Sequence, residues 1–203
     1  MLSKNEVELK INPAVPLLKK YWELVLLWQK RVNLISNNTV PDGWNRHIID
    51  SAQLYFYLPK SAISLMDIGS GAGFPAIVIA ILNKILKGPL KKIILVESDR
   101  KKALFLEECV RILELDVLIF NQRIEDVMEK VDVITARAFA SLKKILPLIQ
   151  KNVSRETFLV LPKGKNGEIE LKEACFKGMT EKIESCIDSE SYIFIMKGVK
   201  DGQ

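Results

Sequence analysis

Residues 66–81 read MDIGSGAGFPAIVIAI. Glycine occupies three alternate positions, 69, 71 and 73, between an apolar strand-like run and an apolar helix-like run. Glycine accepts positive φ and, having no Cβ, lets a ligand lie against the peptide backbone. In doubly wound sheets, ligands bind beyond the carboxyl ends of the strands, and the first strand-to-helix turn is the usual place for a nucleotide-like group. Pro75 suits the first turn of the following helix, where its missing N–H costs nothing.

Three kinds of ligand compete for such a turn. A P-loop needs GxxxxGK followed by Ser or Thr, and the corresponding positions here are apolar, which excludes nucleotide triphosphate hydrolysis. A dinucleotide site needs GxGxxG, but the sixth position is Phe74, and Asp67 stands where an anionic pyrophosphate would approach. What remains is a cofactor without phosphate that carries a positive charge and a nucleoside. S-adenosylmethionine has that description. Glu97, at the end of the next strand-like run ILVESD, is placed to accept both hydroxyls of a ribose. Dinucleotide proteins use the same device, so Glu97 selects a ribose and not a particular cofactor.

On either side of this motif the hydrophobic period changes. Leu17, Leu18, Tyr21, Leu24, Val25, Trp28 and Val32 have the three-and-four spacing of an amphipathic helix over 14–31, and 44–58 reads as a second helix stopped by Pro59. After Pro59, short apolar runs alternate with helical stretches: SLMDIG, KIILVES, DVLIFN, VDVITARA and TFLVLPKG read as strands. The stretches after the first four of these, including IEDVMEK, read as helices, and a polar helix follows the fifth. KIESCID and SYIFIMKG then read as an antiparallel hairpin. The expected fold is α/β: a doubly wound, mostly parallel, seven-stranded Rossmann-like sheet of the class I methyltransferase type, with a terminal hairpin. An N-terminal helical extension, 1–59, precedes a cofactor-binding domain, 60–203, in one compact unit.

The composition narrows the class further. The chain of 203 residues is 48% hydrophobic and 27% charged, and no apolar run approaches the ~18–20 residues that span a bilayer. Three cysteines, Cys109, Cys175 and Cys186, form no CxxC pair, and His47 is the single histidine, so no metal site is expected. The polar N-terminus lacks the apolar core of a secretory signal, which with the odd cysteine count leads us to expect a cytoplasmic protein. A formal charge of +5, with basic residues in pairs, is compatible with a polyanionic partner and by itself decides nothing.

The chain resembles the RsmG (GidB) small-subunit ribosomal RNA methyltransferases. The likeness rests on WQKRVNLIS, RHIIDSAQL, DIGSGAGFPAIVIAI, VESDRKKALFL, ARAFASL and LPKGK, in that order. RHIIDS and RAFASL are far more specific than the glycine turn. The resemblance implies S-adenosylmethionine-dependent methylation of N7 of a loop guanine in 16S ribosomal RNA, position 527 in the 530 loop. It also places cofactor contacts on Gly69, Phe74, Ile124, Glu125 and Arg137, to which the turn itself adds Gly71 and Glu97. Ala76, Val78 and Pro162 depart from the residues usual in the family, which bears on local backbone geometry and on affinity for RNA.

No Ser–His–Asp or paired-carboxylate arrangement is evident, and no catalytic residue is assigned. Guanine N7 has a free lone pair and no proton, so its attack on a sulfonium methyl needs alignment, not a general base. Candidates for RNA contact are Arg46, His47, Arg123, Phe139, Lys163 and Lys165, with Phe139 and Phe74 also able to stack on a charged purine. A hydrogen-bonded packing role competes for His47, a salt bridge for Arg137 and a core role for each phenylalanine. N7 lies in the deep groove of A-form RNA, so the target is expected to be an unpaired or extruded base. The expected partner is 16S ribosomal RNA or the small ribosomal subunit, with no membrane, and the protein is expected to be a monomer. Two alternatives stand beside this reading: the same fold acting on another RNA, a protein or a small molecule, and a non-catalytic RNA-binding protein.

Overall fold

The computed structural model describes residues 1–198; the last five residues of the expected 60–203 domain lie outside them. Seven strands form one sheet: β1 Ser64–Ile68, β2 Lys92–Val96, β3 Leu118–Phe120, β4 Val133–Thr135, β5 Phe158–Lys163, β6 Met179–Glu184 and β7 Tyr192–Lys197. Their order is β3-β2-β1-β4-β5-β7-β6, parallel from β3 through β5, with β7 antiparallel to both β5 and β6. The order reverses between β1 and β4, so the crevice at the carboxyl ends of those strands is the switch point where this architecture takes its ligand. The expected doubly wound sheet with a terminal hairpin is the one observed.

Alternation along the strands builds two cores. Leu65 and, on β2, Ile93 and Leu95 face one layer, while Met66, Ile68, Ile94 and Val96 face the other. The first layer holds α4 (Ala76–Ile85), α5 (Arg100–Leu113) and three N-terminal helices, α1 (Lys4–Ile11), α2 (Val15–Gln29) and α3 (Asp50–Phe56). The second holds α6 (Leu142–Leu148), and the polar α7 (Gly167–Glu173) lies on the same side of the chain's path after β5. Every residue of α4 from Ala76 to Leu82 is buried, which is why that run reads as apolar on all sides.

The N-terminal helices share the α4 and α5 core instead of forming their own. Tyr21 on α2 is fully buried, and its hydroxyl donates to Ala72 O in the glycine turn at 2.5 Å. Lys20 reaches Ile112 O at the end of α5. Between α2 and α3 the chain makes a π-helical turn, Trp44–Ile49, so the expected helix over 44–58 starts in a wider coil before α3.

Three expectations change. A helix, α1, precedes the two that periodicity predicts; Ser3 and Glu6 cap it reciprocally, Ser3 N donating to Glu6 Oε2 at 2.8 Å and Glu6 N to Ser3 Oγ at 3.3 Å. IEDVMEK is not a helix but a single 3₁₀ turn, Ile124–Asp126, followed by extended chain. Asn152 holds that chain open, its Nδ2 donating to Val127 O at 2.9 Å and Glu129 O at 3.0 Å. The first hairpin strand ends at Glu184 and not in the expected SCID stretch, because Ser185 to Ser191 close the turn through Ser185 N→Ser191 O at 2.8 Å.

Gly73 shows how tightly the turn is packed. Its φ is +88°, and a Cβ there would meet Ile77 Cγ1 at 2.5 Å, Leu106 Cδ2 at 3.0 Å and Tyr21 Oη at 3.0 Å. Gly71 also has positive φ, +56°, but a Cβ would meet nothing nearer than Gly69 O at 3.8 Å. Gly73→Ala should therefore lose about 2–4 kcal/mol of stability in urea denaturation, from left-handed strain plus overpacking, against about 1–2 kcal/mol for Gly71→Ala from strain alone.

Candidate active site

The turn after β1 is held from three directions. Glu97, buried at the end of β2, accepts from Gly71 N at 2.7 Å through Oε2 and from Asp99 N at 2.8 Å through Oε1. Tyr21 holds Ala72 from the N-terminal layer, and Ser70 N donates to Val96 O at 3.1 Å. Below the turn lies Asp67, fully buried, with Oδ1 accepting from Thr135 Oγ1 at 2.7 Å and Oδ2 buried without a hydrogen-bond partner. Burial pushes the Asp67 carboxyl up to about 7, against the Thr135 and Ser70 hydrogen bonds, and the Glu97 charge adds to the rise.

Arg137, just past β4, is the second fixed point. Its Nη2 lies 3.1 Å from Asp50 Oδ2 and donates to Arg46 O at 2.5 Å, tying the end of the sheet to the π-helical turn and α3. Its Nη1 is buried and unpartnered. Burial raises the Asp50 carboxyl above its ordinary range, although the Arg137 charge pulls the other way. The salt bridge weighed for Arg137 thus exists, and it leaves the Nη1 group unused.

Besides a cavity of about 220 Å³ between Arg46, Asp50, Arg137 and Asp188, three cavities border the Arg137–Phe139 segment. One of about 170 Å³ lies between Gly69, Val96 and Ser98 and the Gln122–Glu125 turn, with Phe139 as its wall. One of about 330 Å³ lies over Gly69–Ala72, Phe74, His47 and Lys102. The third, about 460 Å³, extends from Asp50 and Arg137 to Lys163, Glu170 and Tyr192. Phe139 separates the first from the third: its ring covers Gly69 so closely that a Cβ on that glycine would collide with it, and Ala138 takes a φ of +51° to place it there.

The expected cofactor residues Gly69, Gly71, Phe74, Glu97, Ile124, Glu125 and Arg137 surround this cleft from the ends of β1, β2, β3 and β4. The expected RNA residues divide. Arg123 is exposed on the rim of the small cavity, Arg46 is exposed beside Asp42 and Asp188, and Lys165 is exposed after β5. His47 is buried, stacked between Trp22 at 6.1 Å and Phe74 at 5.1 Å, with Nε2 2.9 Å from Thr39 Oγ1. Burial, with Arg137 and Arg46 nearby, lowers its pKa to about 4, so it is a neutral packing group at physiological pH. Lys163 points into the third cavity and pairs with Glu170.

Sequence reasoning missed Asp50, Thr135, Glu170 and Tyr192 as parts of the site. Asp50 stood inside RHIIDS with no role attached, and Glu170 lies in a polar helix with no pattern linking it to Lys163. Only the tertiary fold joins them. Among the described residues, no group of three or more His, Cys, Asp or Glu is arranged to hold a metal ion, and no helix is long and apolar enough to cross a membrane.

The donor set suits a zwitterionic, nucleoside-bearing cofactor. Asp67 Oδ2, below the turn, and Arg137 Nη1, just past β4, are both buried and unpaired, an acceptor and a donor group of opposite charge. Gly69 and Gly71 carry no side chain of their own, the Phe139 ring lies over Gly69 while Gly71 is open, and Glu97 retains lone pairs for hydroxyls beyond its two backbone contacts.

Comparison with known proteins identifies the family and the fold. The family model for GidB, rRNA small subunit methyltransferase G, matches residues 14–187. A ribosomal RNA small subunit methyltransferase G from Rickettsia typhi is 44% identical over 151 residues, covering 74% of this chain and 75% of that protein. One from Orientia tsutsugamushi strain Ikeda is 36% identical over 181 residues, 88% of each. Among solved structures, a ribosomal protein L11 methylase from Lactobacillus delbrueckii subsp. bulgaricus superposes with a TM-score of 0.59 at 16% identity, covering 75% of this chain and 78% of that one. A SAM-dependent methyltransferase from Aquifex aeolicus superposes with a TM-score of 0.58 at 14% identity, covering 79% and 94%. At these identities the structures establish the fold alone.

Asp67 makes the site sensitive to pH. Its folded pKa, about 7, lies above the ordinary 3.8, so the fold retains a proton that the unfolded chain releases, and stability falls as pH climbs from about 4 to 7. Asp67→Asn should therefore melt at a higher temperature than the parent at pH 8, by a smaller margin at pH 5, and with no such gain below about pH 4. A cationic ligand favours the ionised carboxylate, so calorimetry near pH 7 in buffers of different ionisation enthalpy should show proton release as S-adenosylmethionine binds. Asp67→Asn should abolish that release.

Proposed function

The chain belongs to the GidB family, rRNA small subunit methyltransferase G, and on that premise we propose that it methylates N7 of a single loop guanine of 16S ribosomal RNA, position 527 in the 530 loop. The enzyme is an S-adenosylmethionine-dependent methyltransferase. The observation that carries the acceptor reading is the meeting of two ligand-sized spaces at Arg137–Phe139: the glycine-turn cleft for the donor and the 460 Å³ cavity for a base.

In this reading Gly69, Gly71, Phe74, Glu97, Ile124, Glu125 and Arg137 hold the cofactor. Glu97 serves the ribose, the Ile124–Glu125 turn borders the adenine, and Asp67 and Arg137 face the amino-acid end. The bound cofactor supplies an electrophilic methyl on a sulfonium. The chain's own contribution is alignment, worth up to ~7–11 kcal/mol when reacting atoms are held in line. No side chain has to remove a proton, in keeping with a site whose histidine is neutral, buried and hydrogen-bonded to Thr39. Arg46, Arg123 and Lys165, exposed on the rims, are assigned to RNA phosphates, and Phe139 to the face of the acceptor base. His47 is kept as support for Phe74, and any effect it has on RNA passes through that ring. The enzyme is taken to work as a cytoplasmic monomer; its three cysteines are free thiols.

Methyl-labelled cofactor supplied with small subunits, naked 16S RNA and a transcript lacking the acceptor guanine tests the assignment. Label should appear once, at N7 of the loop guanine, and vanish from the substituted transcript; label elsewhere would refute it. Replacing Arg123 and Lys165 together by Ala should weaken RNA binding and flatten its salt dependence by about two phosphate contacts, while leaving adenosylhomocysteine affinity unchanged.

A further inference from the structure

One wall of the large cavity carries a fixed pair of opposite charges. Lys163, at the end of β5, has a side chain only 12% exposed. Its Nζ donates to Ala140 O at 3.0 Å and to Glu170 Oε2 at 2.9 Å. An ammonium has three N–H groups, so one is left over. Glu170 Oε2 also accepts from Leu142 N at 3.1 Å, which holds the carboxylate from two sides and leaves Oε1 with no hydrogen bond from the described residues. The other ion pair on this cavity, Asp50–Arg137, offers less: Asp50 Oδ1 already accepts from Gln53 at 2.8 Å, and Oδ2 faces Arg137.

From this we infer that Lys163 and Glu170 are the specificity residues for the acceptor base, Lys163 donating to O6 and Glu170 Oε1 accepting from N1–H and the 2-amino group of an extruded guanine. The inference rests on the methyl-acceptor reading above and names the residues that choose the base. An ammonium beside a carboxylate presents a donor next to an acceptor. The Watson–Crick edge of guanine presents the complement, O6 beside N1–H. Adenine reverses it, setting an amino group against the ammonium and a lone pair against the carboxylate. Leaving buried polar groups so mismatched is how a site rejects an analogue strongly.

The pair also suits the reaction. N7 sits beside O6 and away from the 2-amino group, so a base with O6 at Lys163, which is bonded to Ala140 O, keeps N7 on the Phe139 side of the cavity. Methylation leaves the purine positively charged, and the Glu170 carboxylate offsets the Lys163 ammonium, so the nearest cation does not oppose that charge alone. At about 460 Å³ the cavity falls within the ~300–1,000 Å³ usual for small-ligand sites. Only an unpaired base can offer this edge, consistent with a loop or flipped nucleotide. Lys163 therefore serves the base, and phosphate contact is left to the exposed Lys165.

Base analogues at the acceptor position test the inference. The enzyme is assayed on 16S RNA carrying guanine, inosine or 2-aminopurine there, beside Glu170→Ala, Glu170→Gln and Lys163→Met, with adenosylhomocysteine binding as the control for folding. Inosine lacks only the 2-amino group, so kcat/KM of the unmodified enzyme should fall roughly 10-fold to 100-fold, and further on 2-aminopurine, which lacks O6 and the N1 proton. Glu170→Ala should bring the guanine-to-inosine ratio close to one with adenosylhomocysteine affinity unchanged, and Glu170→Gln should restore part of it. An unmodified enzyme that accepts inosine or 2-aminopurine as readily as guanine, or a Glu170→Ala variant that keeps the parental ratio, overturns the inference. The analogue series needs no variant, so it decides the matter even if a substitution fails to fold. No transfer to guanine itself would instead refute the proposed function.

Discussion

A sharp reversal of backbone after β1, with no side chain at three of its positions, is the constraint on which the rest depends. Glu97 reaches it from β2, Tyr21 from the N-terminal layer and Ile77 and Leu106 from the helices behind it. The contacts that close the turn therefore also join the N-terminal helices to α4 and α5. The cofactor crevice is in this sense built by the same atoms that unite the two parts of the chain.

The turn sits above a costly group. Asp67 is buried with one oxygen unpaired, and an unsatisfied buried polar atom costs about 1–3 kcal/mol. Arg137 repeats the pattern with its unpaired Nη1 group. The two orphans, an acceptor and a donor group, lie below the turn and just past β4. The strain at Ala138 belongs to the same account, since its left-handed backbone is what carries Phe139 over Gly69.

Much of this was legible in the sequence, for physical reasons. Short apolar runs with helices between them fix the sheet class, and the glycine spacing with Asp67 and Glu97 marks the turn after β1 as the place to expect a ligand. Elements held by single side chains were not legible. Asn152 keeps the chain after Ile124 extended although its residues suit a helix, and Ser185 ends β6 early. The α1 helix was within reach, since Ser3 and Glu6 have capping-box spacing. In the site, the residues expected to hold the cofactor follow the ends of β1, β2, β3 and β4 and could be named from the sequence as expectations. Asp50–Arg137 and Lys163–Glu170 could not, the first because its members are 87 positions apart (137 minus 50) and the second because a paired lysine and a solvated one look alike in sequence.

Phe139 gives the most direct test of the account. Its ring lies against Gly69, so a cofactor seated over that glycine, as proposed, requires the ring to move. A crystal structure with adenosylhomocysteine should show the ligand against Gly69 and Gly71, Glu97 on its ribose, and Phe139 swung away toward the base cavity. Ligand bound elsewhere, or Phe139 still seated on Gly69 with the ligand present, would contradict it.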